Sequence, residues 1–173
     1  MRHLRRALAS TLLAGSSACR SAAGVFIAIA AGLCDAAELT RHTQAAWDQA
    51  DLHGRSHVLS GLTEWEKLFC KFVKPGGRIG LIGCGSGRDL IPLAQLGYHV
   101  DGVDSSPRAV RFAGQYLAEA RVEGRVFLGD IVEFEFPHPW YDAFIFSDFA
   151  YAYIVRNHQR IGVLKALRSK LKP

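Results

Sequence analysis

Cysteine is too scattered in this chain to build a framework. Cys19, Cys34, Cys70 and Cys84 form no C-x-x-C pair, which argues against a zinc ribbon, a dithiol redox site or a disulfide scaffold. His53 and His57 stand at i, i+4, but no H-E-x-x-H pattern or third ligand joins them, so they read as polar surface rather than metal ligands. A long hydrophobic run is missing too. The longest, Ala22 to Cys34, has about 13 residues against the roughly 20 that span a bilayer, so no stable membrane span is expected. Acids are absent from the first 34 residues, where Arg2, Arg5, Arg6 and Arg20 account for four of the net charge of +5. The rest is therefore close to neutral and lacks the basic stripe expected of a nucleic-acid binder. Internal repeats and low-complexity tracts are absent as well.

Hydrophobic residues make up 49% of the 173 and charged residues 21%, enough apolar material for one packed domain with an appendage. Three segments differ in character. Residues 1–38 combine a basic start with alanine-rich and apolar stretches and read as a leader or a poorly ordered extension. A secretory signal, an organellar presequence and a plain extension all remain open for it. Residues 39–75 read as a helical cap, with Ser60 or Thr63 capping a helix from Glu64 to Val73 before Pro75-Gly76-Gly77 stops it. Trp47 and Trp65 read as core packing, with a lid around His53-Gly54-Arg55 as the alternative. Residues 76–173 carry the remaining motifs.

The most informative stretch is Arg78-Ile79-Gly80-Leu81-Ile82-Gly83-Cys84-Gly85-Ser86-Gly87-Arg88-Asp89-Leu90. An apolar run meets three alternating glycines and then a helical pattern, Leu90, Ile91, Leu93, Ala94 and Leu96, that ends at Gly97. This reads as strand, tight turn and helix, a geometry that lets backbone and ligand approach closely. Cys84 inside the turn is expected to matter for its small size. A second strand, His99 to Asp104, closes on an acid about 20 positions beyond Gly83, the spacing of a ribose-binding acid in a βαβ nucleotide site. A third, Arg125 to Leu128, ends in Gly129-Asp130.

With these marks in order, residues 76–173 resemble the class I S-adenosylmethionine-dependent methyltransferases. The turn has that family's form G-x-G-x-G, whereas the dinucleotide fingerprint G-x-G-x-x-G needs glycine where Arg88 stands. A nicotinamide-dependent oxidoreductase is disfavoured for that reason. The resemblance implies a Rossmann-like three-layer α/β sandwich with a mostly parallel sheet, order 3-2-1-4, and an N-terminal helical extension. It implies that S-adenosyl-L-methionine lies over Gly83, Cys84, Gly85, Ser86 and Gly87 with its methionine part. Asp104 and the adjoining Ser105 then meet the ribose, Asp130 the adenine amino group, and Ile131 packs beside the ring. Many members carry an acid two positions before the first glycine, where this chain has Leu81. The run Gly-Cys-Gly-Ser-Gly-Arg-Asp resembles a subset without that acid.

Farther along, Ser105 or Ser106 and Pro107 start a helix whose apolar face includes Val110, Ala113 and Leu117. Tyr141 to Asp148 reads as a fourth strand buried on both faces. Ligands in open α/β sheets bind beyond the carboxyl ends of the strands, which puts Ser147, Asp148, Phe149 and Tyr151 nearest the chemistry, Ser147 as a cofactor contact. Asp148 reads equally as a base or as a structural acceptor, so no catalytic residue is singled out. The last helix is expected over Arg156 to Leu171, with Ile161, Leu164, Leu167 and Leu171 on one face and a basic face turned to water. The family usually continues to a fifth strand, so a C-terminally shortened core is expected. The reading that results is an enzyme transferring a methyl group to a small-molecule acceptor in the cytoplasm, with an organellar or membrane-associated placement as the alternative. A non-catalytic remnant or interaction module is the competing reading of the same motifs.

Overall fold

In a computed structural model, residues 41, 54–148, 150–154 and 156–173 are described. Expectations for residues 1–38, Trp47, His53 and Phe149 lie outside the described residues. Residues 54 onward belong to one compact unit, His42–Pro173.

Numbered along the described residues, the elements are α1 (Arg55–Ser60), α2 (Glu64–Cys70), β1 (Arg78–Ile82), α3 (Leu90–Gln95), β2 (His99–Asp104), α4 (Pro107–Ala120), β3 (Gly124–Leu128), β4 (Ala143–Phe146) and α5 (Asn157–Ser169), with a 3₁₀ turn at Ala150–Tyr153. The four strands form one parallel sheet in the order β3-β2-β1-β4. In register, Arg78 faces His99, Ile79 faces Ala143 and Val100 faces Gly124. The architecture is Rossmann-like α/β, with the strand order expected from the sequence.

Alternation along the strands sorts side chains to the two faces. Ile79, Leu81 and Val100 join Val58, Cys70, Leu90, Leu93 and Leu117, so α1 to α4 cover one face. Ile82 and Val103 join Phe136, Tyr141, Ile154, Val163 and Leu167, so α5 lies on the other. The three layers follow from those two clusters. Ser106 caps α4 by accepting the Ala109 amide at 3.1 Å, with Pro107 as its first residue. Ala109, Ala113 and Leu117 form the buried stripe of that helix, and Val110 lies half-buried beside it.

Three expectations are corrected. The fourth strand is shorter than Tyr141 to Asp148, because Tyr141 bridges Leu171 instead, exchanging backbone hydrogen bonds with Lys170 and Lys172 at 2.8 and 2.9 Å. β4 pairs with β1 alone, and Phe144, Ile145 and Phe146 are half-buried rather than enclosed on both faces. In α5 the buried stripe is Val163 and Leu167, at i, i+4, while Ile161, Leu164 and Leu171 are exposed. A helix over an outermost strand meets the sheet along one narrow seam. Trp65, read as core, is 58% exposed because Glu66 and Cys70 form the inward side of α2.

Candidate functional site

The glycine turn is fastened to β2 by its backbone. Val103 O accepts the amides of Gly83 and Cys84 at 2.9 and 3.2 Å, and Cys84 O accepts that of Gly87 at 3.1 Å. Gly83 has φ +71, and a Cβ there would stand 2.5 Å from Ala150 Cβ. Gly85 has φ +51, but a Cβ there would meet nothing within 4 Å. Both glycines answer a left-handed backbone. Gly83 also answers close packing, while Gly85 leaves an open cradle.

Asp104, at the end of β2, holds the turn from the side. Its Oδ2 accepts the Gly85 amide at 2.8 Å and its Oδ1 the Ser106 amide at 2.9 Å. Asp104 O accepts the Gly129 amide at 3.0 Å, which ties the ends of β2 and β3 together. Asp130 follows at once, exposed, with its Oδ1 accepting the Val132 amide at 2.9 Å. Ile131 is half-buried against the Phe136 cluster. Ser86 is buried within the turn and Ser105 exposed beside Asp104.

Ser147 lies just past β4, its amide donating to Ile82 O at 2.9 Å. Its hydroxyl donates to Asp89 Oδ2, so its side chain is engaged behind the turn. Asp148 is exposed with φ +47. Tyr151 packs edge-on against Phe146 at 5.2 Å and lies under the Arg160 guanidinium at 5.5 Å. Cys84 is buried, and its sulfur would lie 2.9 Å from any Cβ at Gly102, so no side chain fits at position 102 beside it. Burial, reinforced by the charge of Asp104, pushes the Cys84 thiol well up and keeps it protonated.

The sequence reading missed a polar chain behind the turn. Glu66 Oε2 accepts the Thr63 amide and hydroxyl at 2.6 and 2.7 Å, and Glu66 Oε1 accepts Arg88 Nη2 at 2.8 Å. Arg88 Nη2 also reaches Asp89 Oδ2 at 3.0 Å. Burial raises the Asp89 carboxyl above its ordinary value, although the Ser147 hydroxyl and Arg88 pull it the other way. The Thr-x-x-Glu capping box was legible in the sequence. Its link to Arg88 joins residues 22 positions apart and was not. A small recess beside this chain is lined by Leu62, Trp65, Phe69, Leu93, Ile145 and Asp89.

A third buried carboxylate lies near the opposite ends of the strands. Asp101, 1% exposed, takes Arg125 Nε and Nη2 at 2.8 and 2.9 Å and the Tyr141 hydroxyl at 2.7 Å. Burial pushes its carboxyl up, but the bonds from Arg125 and Tyr141 and the charges of Arg125 and Arg78 together hold it below the usual range. The basic residues near the C-terminus are partly spent on local bonds. Lys170 donates to Phe136 O at 2.6 Å, and Lys172 pairs with Asp142 at 2.8 Å. No helix among the described residues is long and apolar enough to cross a membrane.

The fold and the turn define a nucleotide-binding α/β class. Residues 81–173 match the family model described as a methyltransferase domain. The chain belongs to that family, the class I S-adenosylmethionine-dependent methyltransferases. Among solved structures it is similar to a TehB-like SAM-dependent methyltransferase from Corynebacterium glutamicum, at 21% identity and TM-score 0.60, over 73% of this chain and 67% of that one. It is also similar to TehB from Haemophilus influenzae, at 18% identity and TM-score 0.56, over 64% of this chain and 37% of that one. The glycopeptide N-methyltransferase MtfA, complexed with sinefungin, matches at 20% identity and TM-score 0.54, over 62% of this chain and 44% of that one. The chain thus spans about two thirds of the first of these proteins and less than half of the other two. A search of the curated proteins returns no match.

The residues present suit the family's cofactor, S-adenosyl-L-methionine. A Cβ at Gly85 would meet nothing within 4 Å, so the backbone of the turn is open to a ligand there. A carboxylate flanks it at the end of β2, the position suited to ribose hydroxyls.

Proposed function

We propose that this chain binds S-adenosyl-L-methionine and transfers its methyl group to a small-molecule nucleophile. The observation that carries this reading is the bond between Gly85 N and Asp104 Oδ2, which joins the glycine turn to the acid at the end of β2. In this reading Gly83, Cys84, Gly85, Ser86 and Gly87 run beneath the methionine part. Asp104 and Ser105 hold the ribose, Asp130 and Ile131 meet the adenine, and Ser147 closes the crevice from β4. The MtfA structure supports the assignment, since a relative with this fold carries sinefungin, an analogue of the donor.

When bound, the cofactor supplies a methyl group on a positively charged sulfur that is already a good leaving group. The protein's share is alignment and exclusion of water rather than covalent chemistry. The turn and Asp104 fix the donor, and α1 and α2, which pack on one face of the sheet through Val58 and Cys70, serve as a cap. A small acceptor is favoured over nucleic acid because the chain beyond the first 34 residues is nearly neutral. The donor is made in the cytosol, which favours the cytoplasm as the site of action.

Calorimetry on the full chain with S-adenosylhomocysteine and with NAD tests this. Binding of the first and not the second is expected, and binding of NAD alone would overturn the assignment. Transfer of label from methyl-labelled S-adenosylmethionine into a small-molecule extract, but not into protein or nucleic acid, is the expected result for the acceptor class.

A further inference from the structure

The outer side of α2 carries side chains that the core does not use. Its inward row is Glu66, Cys70 and Val73, 6%, 7% and 6% exposed. Trp65, Leu68, Phe69 and Phe72, at i, i+3, i+4 and i+7, form a second row and are 58%, 55%, 38% and 83% exposed. Lys67 and Lys71, at i, i+4, form a third, and Lys74 follows them before the chain enters β1; all three are exposed. The backbone keeps turning past Cys70, since the amides of Lys71, Phe72 and Val73 donate to Leu68 O, Phe69 O and Cys70 O at 3.2, 3.0 and 3.1 Å.

An apolar row this dense is more than scattered surface residues. The rings of Phe69 and Phe72 lie 6.5 Å apart. Phe72, at 83% exposure, has no walls around it, so it projects as a wedge rather than lining a groove for a partner's helix.

The charges beside the row say what it meets. Glu64 pairs with Lys67 at 2.7 Å and Glu66 with Arg88 at 2.8 Å, so both acids of α2 are engaged. Among the described residues, Lys71 and Lys74 lie within ion-pairing distance of no acid. A second copy of the chain across a two-fold axis would bring its own lysines to the same face, like charge toward like charge. An anionic bilayer offers the complement: phosphates for the ammonium groups, hydrocarbon below them for Leu68, Phe69 and Phe72, and a boundary layer for Trp65. The sequence holds a second stretch of the same character, since residues 1–34 carry four arginines, no acid and the apolar run Ala22 to Cys34. Stable attachment to a bilayer takes two such signals.

We propose that the outer side of α2 docks on an anionic lipid surface, with Trp65, Leu68, Phe69 and Phe72 entering the interface and Lys71 and Lys74 meeting the lipid phosphates. The proposal stands apart from the cofactor reading and adds a partner to it.

Co-sedimentation of the full chain with vesicles tests this, using phosphatidylcholine and phosphatidylglycerol in equal parts and phosphatidylcholine alone. Binding at least tenfold tighter to the mixed vesicles is expected, weakening as salt is raised. Leu68→Ser combined with Phe72→Ser is expected to weaken binding to mixed vesicles at least tenfold with the thermal midpoint unchanged, because both side chains are exposed. Lys71→Gln combined with Lys74→Gln is expected to weaken it at least tenfold as well. In a chain carrying Trp47→Phe and Trp140→Phe, Trp65 is the single tryptophan, and its emission should shift to the blue on adding mixed vesicles. Should the serine variant fail to fold, the lysine variant and the Trp65 emission decide. A parent that binds no vesicles, a folded serine or lysine variant that binds as tightly as the parent, or a Trp65 emission that stays unchanged in the bound protein overturns the proposal. So does a vesicle-free dimer that Phe72→Ser converts to a monomer, which would give the face to a second copy.

Discussion

Gly85 donates its amide hydrogen to Asp104 Oδ2 at 2.8 Å, and the other oxygen of the same carboxylate takes the Ser106 amide at 2.9 Å. One side chain therefore fixes both the glycine turn after β1 and the start of the helix after β2. Hydrogen bonds to a charged group contribute about 1.5–3 kcal/mol each. Asp104→Ala is expected to lower the affinity for S-adenosylhomocysteine at least tenfold and to lower the thermal midpoint. Calorimetry and a melting curve check both, and an unchanged affinity would remove Asp104 from the ribose site.

Gly83 and Gly85 share a left-handed backbone but differ in surroundings, so the same substitution should act differently at each. Gly83→Ala meets Ala150 as well as the backbone strain. A loss of about 2–5 kcal/mol is expected, from roughly 1–2 for the left-handed residue and about 1–3 for overpacking. Gly85→Ala carries the strain alone, about 1–2 kcal/mol, and should stay folded. Its methyl group would fill the cradle, so binding of S-adenosylhomocysteine should fall at least tenfold. Urea unfolding and calorimetry on the two variants separate the effects.

Asp101 has a folded pKa below its ordinary value, so its contribution to stability is complete above the unfolded value of about 3.9 and is lost as pH falls through the lower folded value. Tyr141→Phe removes one of the bonds responsible and is expected to cost about 1.5–3 kcal/mol near neutral pH. The gap between parent and variant should narrow as pH falls below about 3.9. Urea unfolding measured at several pH values checks it; a gap independent of pH would mean that the Tyr141 hydroxyl contributes without the charge of Asp101.

Cys84 and Cys70 are buried, and burial raises both thiols above their ordinary value. Peptide-mapped alkylation with iodoacetamide at neutral pH should leave both unmodified in the native protein and label both in urea. Rapid native labelling of Cys84 would mean that the turn is not packed against β2.

Glu66 links α2 to the turn through Arg88 at 2.8 Å, with side-chain exposures of 7% and 18%. Removing one partner of such a pair costs on the order of 3 kcal/mol. Glu66→Gln is expected to speed amide exchange in Glu64–Cys70 while leaving β1 and β2 protected. Equal acceleration throughout would show that the pair supports the whole core rather than the cap.

Local patterns were legible because the residues that cause them are neighbours in the chain. β2 ends at Asp104 as its apolar run predicts, α4 starts at Ser106-Pro107, and the glycine spacing marks the turn after β1. Trp65 was misjudged because the inward side of α2 is set by Glu66 and Cys70, which meet partners the helix itself does not contain. α5 was placed on too broad a face for the same reason, since the width of its seam depends on which strand lies beneath it.

The amino-acid sequence by itself determined the positions of the strands along the chain, the glycine turn and the acids that follow the strands, since periodicity and turn chemistry act over a few residues. Only the tertiary structure decided that Glu66, Arg88, Asp89 and Ser147 meet, and that two buried carboxylates share one guanidinium there. Charge balance in a buried cluster depends on which distant side chains are brought together, and that is settled when the sheet and its helices close on one another.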